Sequence, residues 1–456
     1  MKAASRKRIR QLLWLYFWLL IFEGALRKWL LPGLSNPLLL VRDPIALLAL
    51  WWGWPLLSRR PWRAWIQPLL VLGPIALLLA ITVGHGDFPT ALYGTRVLVL
   101  HLPLIFLYGA VFDREDVVRF ARTLLWLSIP MTVLIATQSG LPDSHILNVG
   151  PGGEGTSAFS GALGRSRPPG TFTFISGLST FYSLAAAALF LLLYGGPLKL
   201  PGRLFCAVAG ISLVVALPVS ISRTLLAGYL TVLAAVIVAL VLSRTRLTSL
   251  FSGLLAVALA VALATTVPAF QDTSEAFIAR WDVAAQQSGT DRDDVGDVGV
   301  ASNQLQTRVL RGFTDPLSRL EDIPFLGYGI GMGTNVGSQR LSGGLTFLLG
   351  EGAWDATLGE MGLPVGLAFI IWRIALALWL LRLAVRAAAR GDRSTLILVG
   401  ACLLIVLNGQ ISQPTGLGFI VLSAGLALAA LNPSPNLISN TQLSKRLNLL
   451  EPAVSS

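Results

Sequence analysis

Twelve apolar runs without sustained polar breaks dominate this chain, near 11–30, 37–57, 66–83, 91–112, 120–138, 172–195, 203–220, 223–242, 247–267, 356–381, 394–411 and 415–431. Each has the length, about 17–25 residues, of a helix crossing a bilayer. In lipid a spanning segment must satisfy its own backbone hydrogen bonds, so such runs fold as helices. The 456 residues are 54% hydrophobic and 13% charged, against roughly 25% charged in a soluble domain. An ordinary soluble domain and a disordered chain are both excluded. The expectation is an all-α polytopic membrane protein with about twelve transmembrane helices. About nine helices occupy 1–267, and a large extracytoplasmic (periplasmic) loop, 268–355, lies between helices nine and ten. About three helices fill 356–431, and 432–456 form a cytoplasmic tail. The run from Arg6 to Phe22 does not read as a signal peptide, because Glu23, Arg27 and Lys28 stand where a cleavage site would lie.

The net charge of +12 would point to nucleic acid on a soluble protein. Here 21 of the 35 Lys and Arg residues fall in alternate linkers, among them Arg59, Arg60 and Arg63, and Arg382, Arg386, Arg390 and Arg393. By the positive-inside rule those linkers and both termini are cytoplasmic, and no nucleic-acid partner is expected. The 268–355 loop carries 12 acids and six arginines. Loops of that length are functional or disordered. Asp291 to Asp297 reads as solvated. Residues 305–350 read as ordered, with Phe313, Leu320, Phe325 and Tyr328 available for packing.

Eight positive charges outside that loop lie in or beside the non-cytoplasmic ends of spans, or, for Arg373, mid-span. Ionisable groups are costly there and point to function unless paired. Glu23 and Arg27 are spaced to pair, and Arg27 and Lys28 can also snorkel to headgroups. Arg373 has neighbouring carbonyls as its structural alternative. Arg223, in S-I-S-R-T (220–224), has no acid near it in sequence and is flanked by hydroxyls. A guanidinium there suits a phosphate, which it grips with a bidentate fork. Arg96 has a similar placement. The run G-Y-G-I-G-M-G (327–333) fits either an anion-binding backbone nest or tight turns.

Two cysteines and three histidines leave no disulfide framework and little for a metal site. His85, His101 and His145 read as loop or satisfied core histidines. No nucleotide loop, metalloprotease helix or hydrolase elbow occurs, and no cofactor or metal is expected.

Several motifs, in order, resemble the O-antigen ligase and O-antigen polymerase superfamily, over roughly 10–431. They are F-E-G-A-L-R-K-W (22–29), L-V-R-D-P (40–44), R-P-P-G-T-F (167–172), S-R-T (222–224), D-I-P-F-L-G-Y-G-I-G-M-G-T-N (322–335) and G-A-W-D-A-T-L-G-E-M-G-L-P-V-G-L (352–367). The first two resemble an exopolysaccharide polymerase-like subgroup. The resemblance implies a metal-independent glycosyltransferase of the bacterial cytoplasmic membrane. Such an enzyme moves glycan from a polyprenyl-diphosphate (undecaprenyl-type) donor to an acceptor hydroxyl on the outer face. It also implies Arg223 and Arg167 as diphosphate ligands, with Arg96 behind them and Arg311 or Arg308 completing the clamp. Ligases of the family often carry a His-Asn pair late in the large loop; here Glu351, Trp354 and Asp355 stand there and no histidine occurs in 268–355. Glu351 or Asp355 then serves as base, or caps the next helix. Trp354 reads as an interface anchor or a sugar-stacking ring. The missing pair favours a polymerase over a ligase acting on a lipid acceptor. The rival classes are a transporter or flippase of lipid-linked glycan and a non-catalytic scaffold. Against the transporter stands the lack of repeat symmetry.

Overall fold

The computed structural model describes residues 3–59, 61–153, 159–160, 166–195, 202–244, 271–279, 312–314, 316, 318, 320–343, 349 and 352–433. Among them the chain is all-α apart from one two-residue antiparallel pair, β1 (Phe159–Ser160) with β2 (Ser166–Arg167). The helices are α1 (Ala3–Ala25), α2 (Asp43–Leu57), α3 (Trp62–Thr82), α4 (Phe88–Arg96), α5 (Leu104–Val111), α6 (Arg114–Gly140) and α7 (Ile175–Tyr194). They continue as α8 (Arg203–Ser220), α9 (Arg223–Leu242), α10 (Asn335–Ser342), α11 (Ala353–Ala389), α12 (Ser394–Asn408) and α13 (Pro414–Ala429).

Among the described residues, eight helical segments are long and apolar enough to cross a membrane: Ser5–Leu30, α3, Phe88–Val111, α6, α7, α8, α9 and α11. Helices α12 and α13 are apolar but shorter. Eleven of the expected runs coincide with helices, and the twelfth, 247–267, lies outside the described residues.

Local chemistry explains where helix and run differ. The run at 37–57 becomes helical only at Asp43, because Pro32 and Pro37 hold the preceding chain in short 3-10 turns and Pro44 opens α2. The run at 91–112 is divided by a π-helical turn, Val97–His101. Residues 203–242 split as the sequence implied: Ile221 is left-handed (φ 46°) and Ser222 Oγ accepts from the Leu225 N–H, capping α9. Helix α11 is 37 residues long and kinks at Gly362, whose φ of 71° only glycine adopts without strain.

The bundle closes through small residues and buried hydroxyls, as helices do where lipid offers no hydrophobic drive between them. A Cβ on Gly400 would lie 2.5 Å from Ala235, and Ser128 and Ser212 share a hydrogen bond of 3.0 Å.

The two ends differ chemically. At one, Arg10 pairs with Asp113 and Asp116, and Arg114 reaches Gly195, Asp392 and Asn432. This joins α1, the α5–α6 turn, the end of α7, the α11–α12 turn and the end of α13. These are segments that the charge pattern groups together. The other end gathers the α3–α4 turn, residues 320–343 and the starts of α7, α9, α11 and α13.

Part of the long loop packs as expected. Phe313 meets Trp354 edge-on at 5.0 Å, with Leu320 and Ile323 beside it. Two expectations fail. Trp354 is buried and donates to the Leu407 carbonyl at 2.9 Å, so it neither anchors at an interface nor presents a ring for stacking. Phe325 and Tyr328 do not pack inward; they are 67% and 43% exposed.

Candidate functional site

A cavity of about 400 Å³ opens where four helices begin. Its lining takes Ser176 from the first turn of α7 and Arg223 and Thr224 from that of α9. Gly352 and Ala353 at the head of α11, and Gln413 and Gly416 at that of α13, complete the mouth. Four helix N-termini thus face one space, each carrying roughly half a positive charge in unpaired N–H groups. Arg223 adds a full charge, and it is the one ionisable side chain among the described lining residues. Hydroxyls and amides supply the remaining polarity: Ser179, Thr180, Asn408, Gln410 and Gln413. Deeper, the walls are Ala227, Gly228, Ala401, Leu404, Ile405 and Ile420, reaching Ser183 and Thr231. Those two lie eight residues into their helices, about 12 Å below the mouth. The chamber is therefore polar and electropositive at its mouth and largely apolar at its floor.

One helix presents its negative end there. Helix α12 terminates at Asn408 and Gly409, and Arg373 neutralises it. The Arg373 guanidinium donates to the carbonyls of Val406 (2.7 Å), Ile405 (3.1 Å) and Gly409 (2.9 Å). The carbonyl alternative for Arg373 is what the structure contains. On the far side of the same α12–α13 turn, Arg42 donates to the Pro414 carbonyl at 2.7 Å and to Glu23 at 2.8 Å. Two buried arginines hold the turn that carries Asn408, Gln410 and Gln413. Neither lines the cavity.

The residues expected from sequence are only partly gathered. Arg223 lines the cavity. Asp355 lies in the first turn of α11, and a Cβ on the lining residue Gly352 would fall 2.3 Å from its carboxylate. That puts Asp355 at the cavity margin in the position of a helix-start acid. Arg167 is in β2, paired with Phe159, and does not line the cavity. Neither does Arg96, which is ion-paired with Asp43, contacts His101 Nε2 at 3.1 Å and stacks on Tyr93. Arg308, Arg311 and Glu351 lie outside the described residues.

The N-terminal motifs assemble a clasp instead. Glu23 joins Arg42 and, at 3.7 Å, Arg27, so the expected i,i+4 pair is the weaker of its contacts. Arg27 and Lys28 are buried and do not snorkel, because protein carbonyls take the place of headgroups. Arg27 bonds the Ser35 carbonyl at 2.9 Å. Lys28 Nζ donates to Gly170 (2.7 Å) and Phe172 (2.9 Å), locking R-P-P-G-T-F against α1. His101 is a satisfied core histidine, bonded to Tyr16 at 3.0 Å and to Asp43.

The glycine run 327–333 turns tightly, and it hydrogen-bonds a carboxyl group of the protein itself. Glu360 Oε1 accepts the Gly333 N–H at 2.7 Å, and the Glu360 carbonyl accepts from Gly329. Gly331 (φ 96°) presses so closely on α4 that a Cβ would meet the Thr90 carbonyl at 2.1 Å. Sequence reading missed Glu360 and the amide-bearing turn 408–413. The signals available were Glu360 two residues before the Gly362 kink, and the polar break Q-I-S-Q-P between two apolar runs.

No protein-family model matches the chain, and none of the curated proteins compared with it matches.

Proposed function

We propose that this chain is a membrane glycosyltransferase that polymerises polyprenyl-diphosphate-linked glycan. The observation that carries the reading is the chamber under Arg223, with four helix N-termini at its mouth, no lining acid among the described residues and a largely apolar floor. An amphiphile with an anionic head and a hydrocarbon tail matches that gradient. The six motif resemblances supply the particular amphiphile.

In this reading the diphosphate sits at Arg223 and the helix starts, with the sugar against the amides of the α12–α13 turn. The acceptor hydroxyl attacks the donor anomeric carbon. The bond from that carbon to the diphosphate oxygen breaks, and its electron pair leaves with the lipid diphosphate. Arg223 stabilises the charge that develops there. Asp355 or Glu351 takes the acceptor proton. Arg308 and Arg311 extend the cationic surface from the long loop. Arg96 acts by holding the scaffold through Asp43. The topology is twelve spans with both termini cytoplasmic, the chamber opening on the outer face of a bacterial cytoplasmic membrane. Growing glycan is the acceptor, since the ligase-type His-Asn pair is lacking.

Cells carrying Arg223→Ala should insert the protein at normal level and make no long polymer. Normal polymer length in those cells refutes the assignment.

A further inference from the structure

We infer that Pro324–Tyr328 is a membrane-interface anchor, and that a bilayer phospholipid covers it. The argument begins on α3, whose exposed apolar side chains Val71, Ile75 and Leu78 fall on one helical stripe. On a helix long and apolar enough to span a bilayer, that stripe faces lipid. It continues past the helix end through Val83 to Phe325 and Tyr328 without a charged side chain between the named positions. A groove of about 550 Å³ lies there, lined by Val83, His85, Phe325, Leu326, Tyr328 and Met332.

Irregular backbone at membrane depth needs its polar groups bonded, and five backbone groups of this segment are bonded within the protein, as suits a loop at the wet interface. The Phe325 carbonyl accepts from Leu363 at 2.9 Å, and Gly327 donates to Pro324 at 2.9 Å. Tyr328 donates to Gly359 at 2.7 Å, and its carbonyl accepts from His85 at 2.9 Å. The loop is thus pinned to the α11 kink and the α3–α4 turn while holding an aromatic ring outward. A rigid loop presenting Phe and Tyr at the end of a spanning helix has the composition of an aromatic belt.

The test places a single reporter on the full-length chain in phosphatidylcholine nanodiscs. Cys206→Ser removes the accessible native thiol; Cys402 is buried, and the background protein sets the labelling blank. Phe325→Cys, or Val83→Cys if the first does not fold, carries a bimane label, and Gln339→Cys on exposed α10 is the control. Phosphatidylcholine bearing a nitroxide at acyl position 5 should quench the Phe325 or Val83 label at least twofold more than the Gln339 label. Aqueous iodide should give the reverse order. Equal nitroxide quenching at all sites overturns the proposal. So does a label that neither quencher reaches, the result expected if a second copy of the chain covers the patch.

Discussion

Arg373, midway along α11, donates through Nε to the Val406 carbonyl at 2.7 Å and so ties the end of α12 to a neighbouring helix. The contact stops a negative helix end from opposing the positive mouth of the cavity. Arg373→Met leaves the Val406 and Gly409 carbonyls without their donor, while Ile405 keeps the Gly409 N–H at 2.8 Å. Each buried unmet acceptor costs about 1–3 kcal/mol, so thermal stability in detergent should fall. Hydrogen exchange should rise at 405–410. Lysine should restore less than half the loss, because it offers a point charge instead of a planar fork. Unchanged exchange in Arg373→Met contradicts the capping role.

Gly331 and Gly343 both have positive φ, 96° and 74°, but differ in surroundings. A Cβ at Gly331 meets backbone at 2.1 Å, whereas nothing lies within 4 Å of one at Gly343. Gly343→Ala should cost about 1 kcal/mol, the price of a left-handed alanine. Gly331→Ala should cost several times more and fail to accumulate. Comparable melting temperatures for the two variants disprove the tight packing of the glycine run on α4.

Much of this fold was legible because apolar length is a one-dimensional property. Eleven runs became helices, and the divide at Ile221–Ser222 was written locally in a proline and a capping serine, although the left-handed Ile221 was not, since β-branched residues avoid positive φ. Partnerships between distant segments were not legible. Lys28 read as a snorkelling cation because the two carbonyls that bury it lie 142 and 144 residues away. The contact of Glu360 with Gly333 was not legible because a loop fold brings together residues 27 positions apart. The candidate site was half legible. Arg223 stood out as a charge with no acid near it in sequence, whereas the amides of 408–413 resembled an ordinary polar turn.

Arg96 and Asp43 form a half-buried ion pair beside His101. Arg96→Ala should destabilise the protein by about 1–3 kcal/mol, because it removes a charge-assisted hydrogen bond from a half-buried carboxylate. Asp43→Asn in the same chain should recover a large part of that loss. A double-mutant cycle on melting temperature checks this. Strict additivity means that the pair does not interact.

Arg340 grips Asp87 through two contacts of 2.8 Å, linking α10 to the start of α4. This bond, with the Thr90 hydroxyl, holds the Asp87 carboxyl below the usual carboxylate range. A depressed folded-state pKa contributes stability that is present above the unfolded value, about 3.9, and is lost as pH falls below it. Protection of the α10 amides should therefore be constant from pH 7 to about 5 and decline below about 4. In Asp87→Asn it should start lower and stay flat over the same range. A decline between pH 7 and 6 contradicts the assignment to this pair.

The chamber under Arg223 is most directly tested by turnover in proteoliposomes supplied with a polyprenyl-diphosphate oligosaccharide, reading released lipid diphosphate and glycan length together. The wild-type protein should release lipid diphosphate in step with chain growth. Arg223→Ala, with an unchanged melting temperature, should be slower by about 100-fold or more, the usual effect of losing one preorganised donor to a leaving group. Undiminished release by Arg223→Ala, or movement of the donor across the bilayer with no release by the wild type, contradicts the account.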